Sequence, residues 1–462
     1  MDSLYNFLFS NSLIEGIFLA LWGAFVDWWW LFLPFVAFYV ALEFWINYNQ
    51  EKFKESIEWI NLELKIPQDV LTTPKVMDQV FTGLSVIAST PDTWLEELLD
   101  RKIPFKKGEV PLWVSFEILG TREGISFIIH TPKKFKNLIE AQFRSQYPQV
   151  EITEIEDYVK RFSSLPNNYY NIWAAELTLN ESPVFPIKTY EFFEERVEER
   201  RLDSMAPFLE VLSGLENGEE IWMQMVLRGL TKPLSDSWKE KTKKEIDKLL
   251  GKKEEAKEPG GLKQIAKGLA DESANVVKGF AKDLGSLTSP QAEPAKEEKK
   301  EEKKEGPSGG ERMKVERAEN KVSKTVFEAV VRVIYLAPKA SFEKDQKSAA
   351  INSYFRSFTL ANLNGFKNKR KTRFFLIKWV LGDSLDYQDA NNLFKAYESR
   401  LPDPAPQFAL EDDDEENIMK KMIFATDELA TLYHFPLTQT GAPRLYRVQT
   451  KKYEPPPNLP VI

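Results

Sequence analysis

The chain contains no cysteine and only two histidines, His130 and His434, among its 462 residues. The lack of cysteine excludes disulfide bonds, zinc sites with thiolate ligands and cysteine nucleophiles. Two histidines are also too few for a histidine-rich metal site. These absences remove several classes of metalloprotein and hydrolase before any motif is considered.

The sequence also lacks the common nucleotide-binding and hydrolase motifs. No segment matches the phosphate-binding loop GxxxxGK[ST], so we do not expect this chain to hydrolyse nucleotides by itself. The one match to GxSxG contains Ser308 and has charged low-complexity flanks, whereas a nucleophile elbow needs a strand before the serine and a helix after it. We therefore predict that the protein is not an enzyme and has no catalytic residues, no cofactor and no metal ion.

The composition is that of a folded, moderately acidic protein. Hydrophobic residues make up 43% of the chain and aromatic residues 13%, which is enough to build real cores. The net charge of −8 argues against a surface that is basic throughout, but it allows local basic patches. The length predicts two or three domains.

The longest apolar stretch is Gly16 to Ile46, in which only Asp27 and Glu43 carry charge. A single membrane-spanning helix needs about 20 largely apolar residues, and it tolerates a proline such as Pro34. Asp27 lies either within the span, facing a partner helix, or among the lipid headgroups, and we favour the second alternative. A belt of interfacial aromatic residues would then begin the span: Trp28, Trp29 and Trp30.

Charge on either side of this stretch predicts its orientation. The first cationic side chain is Lys52, which follows the apolar stretch. Positive flanks stay in the cytoplasm, so the N-terminus is expected outside and the bulk of the chain inside. The prediction is a single-pass inner-membrane protein that contacts membrane lipid through an anchor at residues 1–50.

Residues 51–165 have the element order β-α-β-β-α-β. Alternating apolar residues predict strands and a four-residue repeat predicts helices. This order is typical of the ferredoxin-like split βαβ fold. The predicted elements, in order, are a strand at 55–64, a helix at 75–86, strands at 111–119 and 124–130, a helix at 132–147 and a strand at 150–155.

Residues 166–230 and 321–405 repeat that order around an insertion. We therefore predict an α+β protein in which an N-terminal transmembrane helix precedes two tandem ferredoxin-like units, the second of them interrupted. The insertion, 231–320, is charged and poor in aromatic residues, so we expect it to be disordered. Its apolar residues at 261–287 have helical spacing. They fit a transient helix in a disordered tether, which we favour, or an amphipathic helix on an anionic membrane surface.

A dense basic run lies near the end of the second unit. It could contact DNA, RNA or anionic lipid, or it could be a solvated loop, and both interpretations stay open. The run contains Lys367, Lys369, Arg370, Lys371 and Arg373.

The C-terminal region, 406–462, begins with an acidic segment and continues into a short helix. Six consecutive acids, Glu411 to Glu416, predict an exposed, solvated stretch or a contact with a basic partner. Thr426 is a start signal for the helix, and Pro436 follows its end. A Pro-rich tail, KKYEPPPNLP, then runs to Pro460.

The text ELATLYHFP and its Pro-rich exit resemble a known family. They are similar to the N-terminal membrane and accessory region of the FtsK/HerA-like ATPases of bacterial type IV secretion and conjugation, especially in small-genome bacteria. In that family a membrane segment and paired α/β domains lead into a motor that moves DNA or protein. The resemblance implies a docking segment or a structural corner at Glu428, Leu429, Leu432, Tyr433, His434, Phe435 and Pro436.

The relatives continue into the ATPase at the point where this sequence ends, Ile462. The resemblance therefore implies a motor on a separate polypeptide. The expected function is a membrane-anchored, non-catalytic component that recruits or orients a translocation ATPase at the inner membrane, and that can self-associate as a homo-oligomer. The alternative is a membrane-tethered nucleic-acid-binding module that uses the basic loop 367–373.

Overall fold

The computed structural model describes residues 33–67, 73–88, 110–193, 203–230, 232–250, 309–369, 389–402, 418–437 and 447–448. Ten strands in these ranges form one sheet. They are β1 (Trp59–Pro67), β2 (Trp113–Thr121), β3 (Ile125–Pro132), β4 (Glu151–Ile155), β5 (Tyr170–Leu179), β6 (Glu220–Gly229), β7 (Val326–Pro338), β8 (Phe366–Asn368), β9 (Met422–Ala425) and β10 (Arg447–Val448).

The helices of the described ranges lie before, between and after these strands. They are α1 (Leu33–Ser56), α2 (Pro74–Leu84), α3 (Lys136–Gln146), α4 (Ala206–Ser213), α5 (Lys232–Leu249), α6 (Gly309–Ser323), α7 (Lys344–Arg356), α8 (389–399) and α9 (Thr426–Leu432).

The sheet runs without a break through both halves of the chain. Its order is β10-β1-β3-β2-β6-β7-β5-β8, with β4 also paired to β1 and β9 to β7. Strands β1 to β9 pair antiparallel, and β10 lies parallel to β1. The halves meet at β2 and β6, which are in register from Trp113 opposite Arg228 to Thr121 opposite Glu220.

This junction corrects the predicted fold class. The expected architecture of two tandem ferredoxin-like units behind a transmembrane helix is wrong, because one continuous sheet replaces two separate ones. Period-2 alternation indicates which face of a strand is buried, but it does not indicate which other strand pairs with it. The pairing of β2 with β6 therefore leaves no trace in either strand's own pattern.

One apolar core covers one face of the sheet in both halves. Alternate residues of β2 and β6, such as Phe116, Ile118, Met223 and Met225, point into it. Helices α2, α3, α4, α7 and α9 supply its other side. A core that is shared in this way makes the two halves a single packed body.

The opposite face carries a smaller core around α8. Phe394 and Tyr397 of this helix are fully buried against Trp222 of β6 and Ile334 of β7. The centre of the sheet is therefore covered on both sides, and polar side chains on the α8 side must find partners within the protein.

Both ends of the predicted disordered insertion are helical. Helix α5 begins at Lys232 and α6 begins at Gly309, and the two helices pack together. Trp238 of α5 is fully buried in a cluster with Ile418 and Ile423. The expectation of disorder across the whole insertion is therefore wrong, because these ends gain a core from the rest of the protein. The predicted amphipathic helix at 261–287 lies outside the described residues, as do the acids at 411–416.

The predicted membrane anchor is also corrected. We find no helix in the described part of the chain with the length and apolar character needed to cross a bilayer. This finding contradicts the predicted single-pass location in the inner membrane. Pro34 lies exposed in the first turn of α1, whereas residues 16–32, including Trp28, Trp29 and Trp30, lie outside the described residues.

Most other elements lie close to their predicted positions. The helix predicted at 75–86 spans Pro74–Leu84, and the hairpin predicted at 111–130 spans Trp113–Pro132. Strand β8 of the second half spans Phe366–Asn368. The apolar run at 374–380 also predicts a strand, but it lies outside the described residues.

Candidate functional site

The C-terminal segment 422–437 is the element that both halves of the protein share. Strand β9 adds to the start of β7, with Val326 opposite Ala425, and α9 then begins at Thr426 as predicted. Glu428 closes the first turn, because its Oε2 accepts a hydrogen bond of 2.8 Å from the Ala425 backbone N–H. Helix α9 packs against α2 of the first half. The segment therefore joins the helical layers of both halves.

The predicted docking residues lie inside this joint. All of them are buried, so a partner reaches their side chains only if the segment leaves the core. A docking role stays a prediction, and the structure assigns these side chains internal contacts. The residues are Glu428, Leu429, Leu432, Tyr433, His434, Phe435 and Pro436.

Aromatic contacts fix the end of the segment. Tyr433 meets Phe116 and Phe127 edge-on, with ring centroids 5.1 and 5.4 Å apart. Phe435 makes an edge contact of 4.7 Å with Tyr147. Such pairs add about 0.5–1.5 kcal/mol each beyond the area they bury. The aromatic residues of LYHFP thus anchor the end of this segment in the core.

His434 uses both ring nitrogens inside the protein. Its Nδ1 lies 2.8 Å from the Ala430 carbonyl oxygen, and its Nε2 lies 3.0 Å from Oδ1 of Asp203. The two ring nitrogens thus face two different segments of the chain, the turn of α9 that contains Ala430 and the segment that contains Asp203. The Leu437 N–H donates to Oδ2 of the same aspartate at 3.0 Å. This His–Asp pair therefore fixes the path of the backbone after α9. Neither ring nitrogen of His434 is free to contact a substrate.

A second buried pair ties α9 to α6. The Lys321 ammonium lies 2.8 Å from Oε2 of Glu428, and the side chains of both are almost wholly buried. Oε1 of Glu428 accepts a hydrogen bond of 2.9 Å from the Ile187 N–H. Burial raises the pKa of Glu428, and the nearby Lys321 acts in the opposite direction. The carboxyl group thus links three segments that are far apart in the sequence.

The polar cluster around Arg400 is not among the features predicted from the sequence. Arg400 follows α8 with a φ of 53°, in the left-handed region, and its guanidinium lies between two carboxylates. It donates to Glu117 at 2.8 and 3.2 Å and to Asp157 at 2.9 Å through both terminal nitrogens. Burial alone would raise the pKa of Glu117, but the Arg400 guanidinium outweighs that effect and holds it below the usual value. The same balance lowers the pKa of Asp157.

Neighbouring side chains complete this cluster. The Tyr158 hydroxyl donates to Glu117 Oε2 at 2.8 Å, and the Gln224 amide donates to Oε1 at 3.0 Å. Arg332 of β7 donates to the carbonyl oxygens of Ala396 and Leu401, at 3.2 and 2.9 Å. The cluster therefore fastens α8 to the centre of the sheet with every charge neutralised internally.

A sequence signal for this cluster exists. Glu117, Gln224 and Arg332 are polar residues in the middle of three largely apolar strands. A buried charge is tolerated only when it is paired, so these positions together predict a partner such as Arg400. No local pattern indicates which arginine that partner is.

The predicted basic loop is described only in part. Lys367 and Lys369 are exposed at the end of β8. The ammonium of Lys369 lies 2.7 Å from Glu176 Oε1, and that of Lys367 donates to the Asn180 carbonyl at 3.2 Å. Arg370, Lys371 and Arg373 lie outside the described residues. Contact of this loop with nucleic acid or lipid stays a prediction.

A cavity of about 260 Å³ lies where α6, the segment around Thr189 and α9 meet. Three ion pairs contribute residues to its wall, each with a nitrogen–oxygen distance of 2.8 Å: Arg317 with Glu191, Lys321 with Glu428, which lies behind the wall, and Lys324 with Asp427. The three cations follow helical spacing along α6 and the residue after its end. The cavity is therefore polar, and its charges balance.

No described cluster of histidine and acidic side chains is arranged to hold a metal ion. No family model matches the chain, and no curated protein matches it. The resemblance to type IV secretion and conjugation proteins therefore gains no support from these comparisons. The expected adaptor role and the expected motor partner stay predictions.

Proposed function

We propose that this chain is a non-catalytic adaptor that holds an FtsK/HerA-type motor ATPase carried on a separate polypeptide. The observation that supports this proposal is the position of segment 422–437, which packs into the cores of both halves. A domain fastened in this way keeps its outer surfaces in one fixed arrangement, which is what an adaptor needs in order to orient a partner. The text ELATLYHFP, on which the resemblance to motor proteins rests, lies in this same segment.

The paired charges also support an adaptor. Arg400 with Glu117 and Lys321 with Glu428 are buried ion pairs, and His434 with Asp203 is a buried polar pair. Groups used in this way fix the packing of elements and are not poised for proton transfer to a substrate.

The test uses the purified full chain and each FtsK/HerA-type ATPase encoded in the same genome. We expect one of these ATPases to bind saturably in calorimetry and to change its ATP turnover when the chain is added. The adaptor itself should show no turnover under the same conditions. Failure of every such ATPase to bind, or ATP hydrolysis by the chain alone, would overturn the proposal.

Phe435→Ala and Tyr169→Ala provide a matched pair of variants for this experiment. Phe435 is buried in the joint, whereas Tyr169 is 79% exposed on the sheet's rim. If a rigid frame orients the ATPase, loosening the joint should weaken the effect on turnover, and the surface change should leave it intact. Equal effects from both variants contradict a role for the joint.

A second candidate is binding of single-stranded nucleic acid by the basic loop 367–373, favoured by the exposed ammonium groups of Lys367 and Lys369. Phosphate contacts make affinity fall steeply with salt. We expect labelled single-stranded DNA to bind with such a salt dependence, and replacement of all five cations of the loop by glutamine to abolish it. Binding whose affinity does not depend on salt concentration, or that survives this replacement, would exclude the loop as the nucleic-acid-binding site.

A further inference from the structure

Two buried oxygen atoms in the wall of the 260 Å³ cavity have no hydrogen-bond partner among the described residues. They are Oγ1 of Thr189 and Oδ1 of Asp427, on residues that are 2% and 8% exposed. An unsatisfied buried polar group costs about 1–3 kcal/mol. Two such atoms in one cavity indicate that something polar occupies it.

The ion pairs supply further donors. The Lys321 ammonium forms an ion pair with Glu428, but its three N–H groups have no hydrogen-bond partner among the described residues. Arg317 and Lys324 line the same cavity from α6 and from the residue after its end. Donors and acceptors are thus both available to an occupant.

Charge balance selects the kind of occupant. Each of the three cations has a carboxylate at 2.8 Å. A net-anionic ligand such as phosphate would have to compete with all three carboxylates, and a net cation would be repelled by the cations. A molecule that carries both charges can enter without leaving any buried charge unpaired.

We propose that this cavity binds a small zwitterion of the amino-acid class. Its carboxylate would accept hydrogen bonds from the cations of α6, and its ammonium would donate to Oδ1 of Asp427 and to the Thr189 hydroxyl. The volume of about 260 Å³ lies just below the range of about 300–1,000 Å³ that is typical of drug-sized ligands, in keeping with a compact molecule. The ligand would bridge α6, the segment around Thr189 and α9. The proposal is independent of the adaptor function.

The experiment measures the thermal midpoint of the full chain, and then calorimetric affinity, with each proteinogenic amino acid in turn. Inorganic phosphate serves as the anionic probe. We expect at least one amino acid to raise the midpoint in a saturable way, because a ligand that binds only the folded state stabilises it. Phosphate should have no effect.

Three variants locate the binding. Thr189→Val removes the hydroxyl with little change of shape and should weaken the binding about tenfold, as expected for the loss of one buried hydrogen bond. Thr189→Ser keeps the hydroxyl and should retain affinity. Thr242→Val is the matched control, because Thr242 is also fully buried with an unpartnered hydroxyl but does not line this cavity.

Several results would overturn the proposal. They are the absence of binding by any amino acid, tighter binding of phosphate than of any amino acid, equal losses in the Thr189→Val and Thr242→Val variants, and a high-resolution structure with amino acid added that shows only water in the cavity.

Discussion

Arg400 and Glu117 lie 283 residues apart in the chain and form a two-point ion pair, with nitrogen–oxygen distances of 2.8 and 3.2 Å. Glu117 is in the middle of β2, and Arg400 follows the end of α8. Both side chains are almost wholly buried. The pair fixes α8 over the seam where the two halves of the sheet meet.

Removal of one partner should leave the other charged and buried. We expect Glu117→Gln to lower the free energy of unfolding by about 3–5 kcal/mol, as for other buried ion pairs. Glu151→Gln is the control, since Glu151 pairs with Lys65 on the surface and should lose about 1 kcal/mol or less. Urea denaturation followed by circular dichroism measures both. A loss below 1 kcal/mol for Glu117→Gln would show that the pair is not needed to hold α8.

Stability should fall as the pH drops below 6.5, in part because of His130. Its ring stacks on Trp59 at 4.8 Å, and burial lowers its pKa to about 3. Between pH 6.5 and about 3 the unfolded chain binds a proton that the folded chain excludes, so acid favours unfolding by up to about 1.4 kcal/mol per pH unit. Stability from this residue is fully present above pH 6.5.

His130→Phe tests this pH dependence, because it keeps an aromatic ring on Trp59 and removes the titration. The slope of unfolding free energy against pH between 7 and 5 should be shallower for this variant, whatever its absolute stability. Glu117 and Asp157 have lowered pKa values and act at lower pH. Identical slopes in the two proteins would exclude His130 as the titrating group.

The joint made by segment 422–437 should control the stability of both halves together. Phe435→Ala removes a ring packed between Phe127 and Tyr147, and we expect a loss of about 3–5 kcal/mol. Tyr169→Ala on the exposed rim should change stability by about 0.5 kcal/mol or less. Hydrogen exchange should show faster exchange in β1 and in β7 of the Phe435 variant. Faster exchange in only one half would argue against a shared core.

The turn before β6 requires glycine. Gly218 has a φ of 80°, and an added Cβ would lie 2.9 Å from Cγ of Pro338. Gly218→Ala should therefore cost about 1–2 kcal/mol. Gly214→Ala is the matched change at negative φ, where the nearest atom would be 3.6 Å away, and it should be close to neutral. Thermal unfolding of the two variants distinguishes them.

Much of the local structure could be predicted because it depends on short-range patterns. Alternation in PLWVSFEILG predicts a strand, and the structure places β2 there. The four-residue repeat from Val76 to Leu84 predicts α2. Thr426 predicts the start of α9. The polar cavity, in contrast, needed three distant segments to be brought together, and no sequence pattern predicted it.

The sequence by itself determined the order of strands and helices from β1 to β4, the apolar face of each, and the exclusion of cysteine and histidine-rich metal chemistry. The tertiary structure alone decided that β2 pairs with β6, that α8 covers the second face, and that the ends of the insertion are helical. It also decided that ELATLYHFP lies in the core and not on the surface. The physical reason is that periodicity records the burial of a side chain, whereas partners such as Glu117 and Arg400 depend on which distant segments share one core.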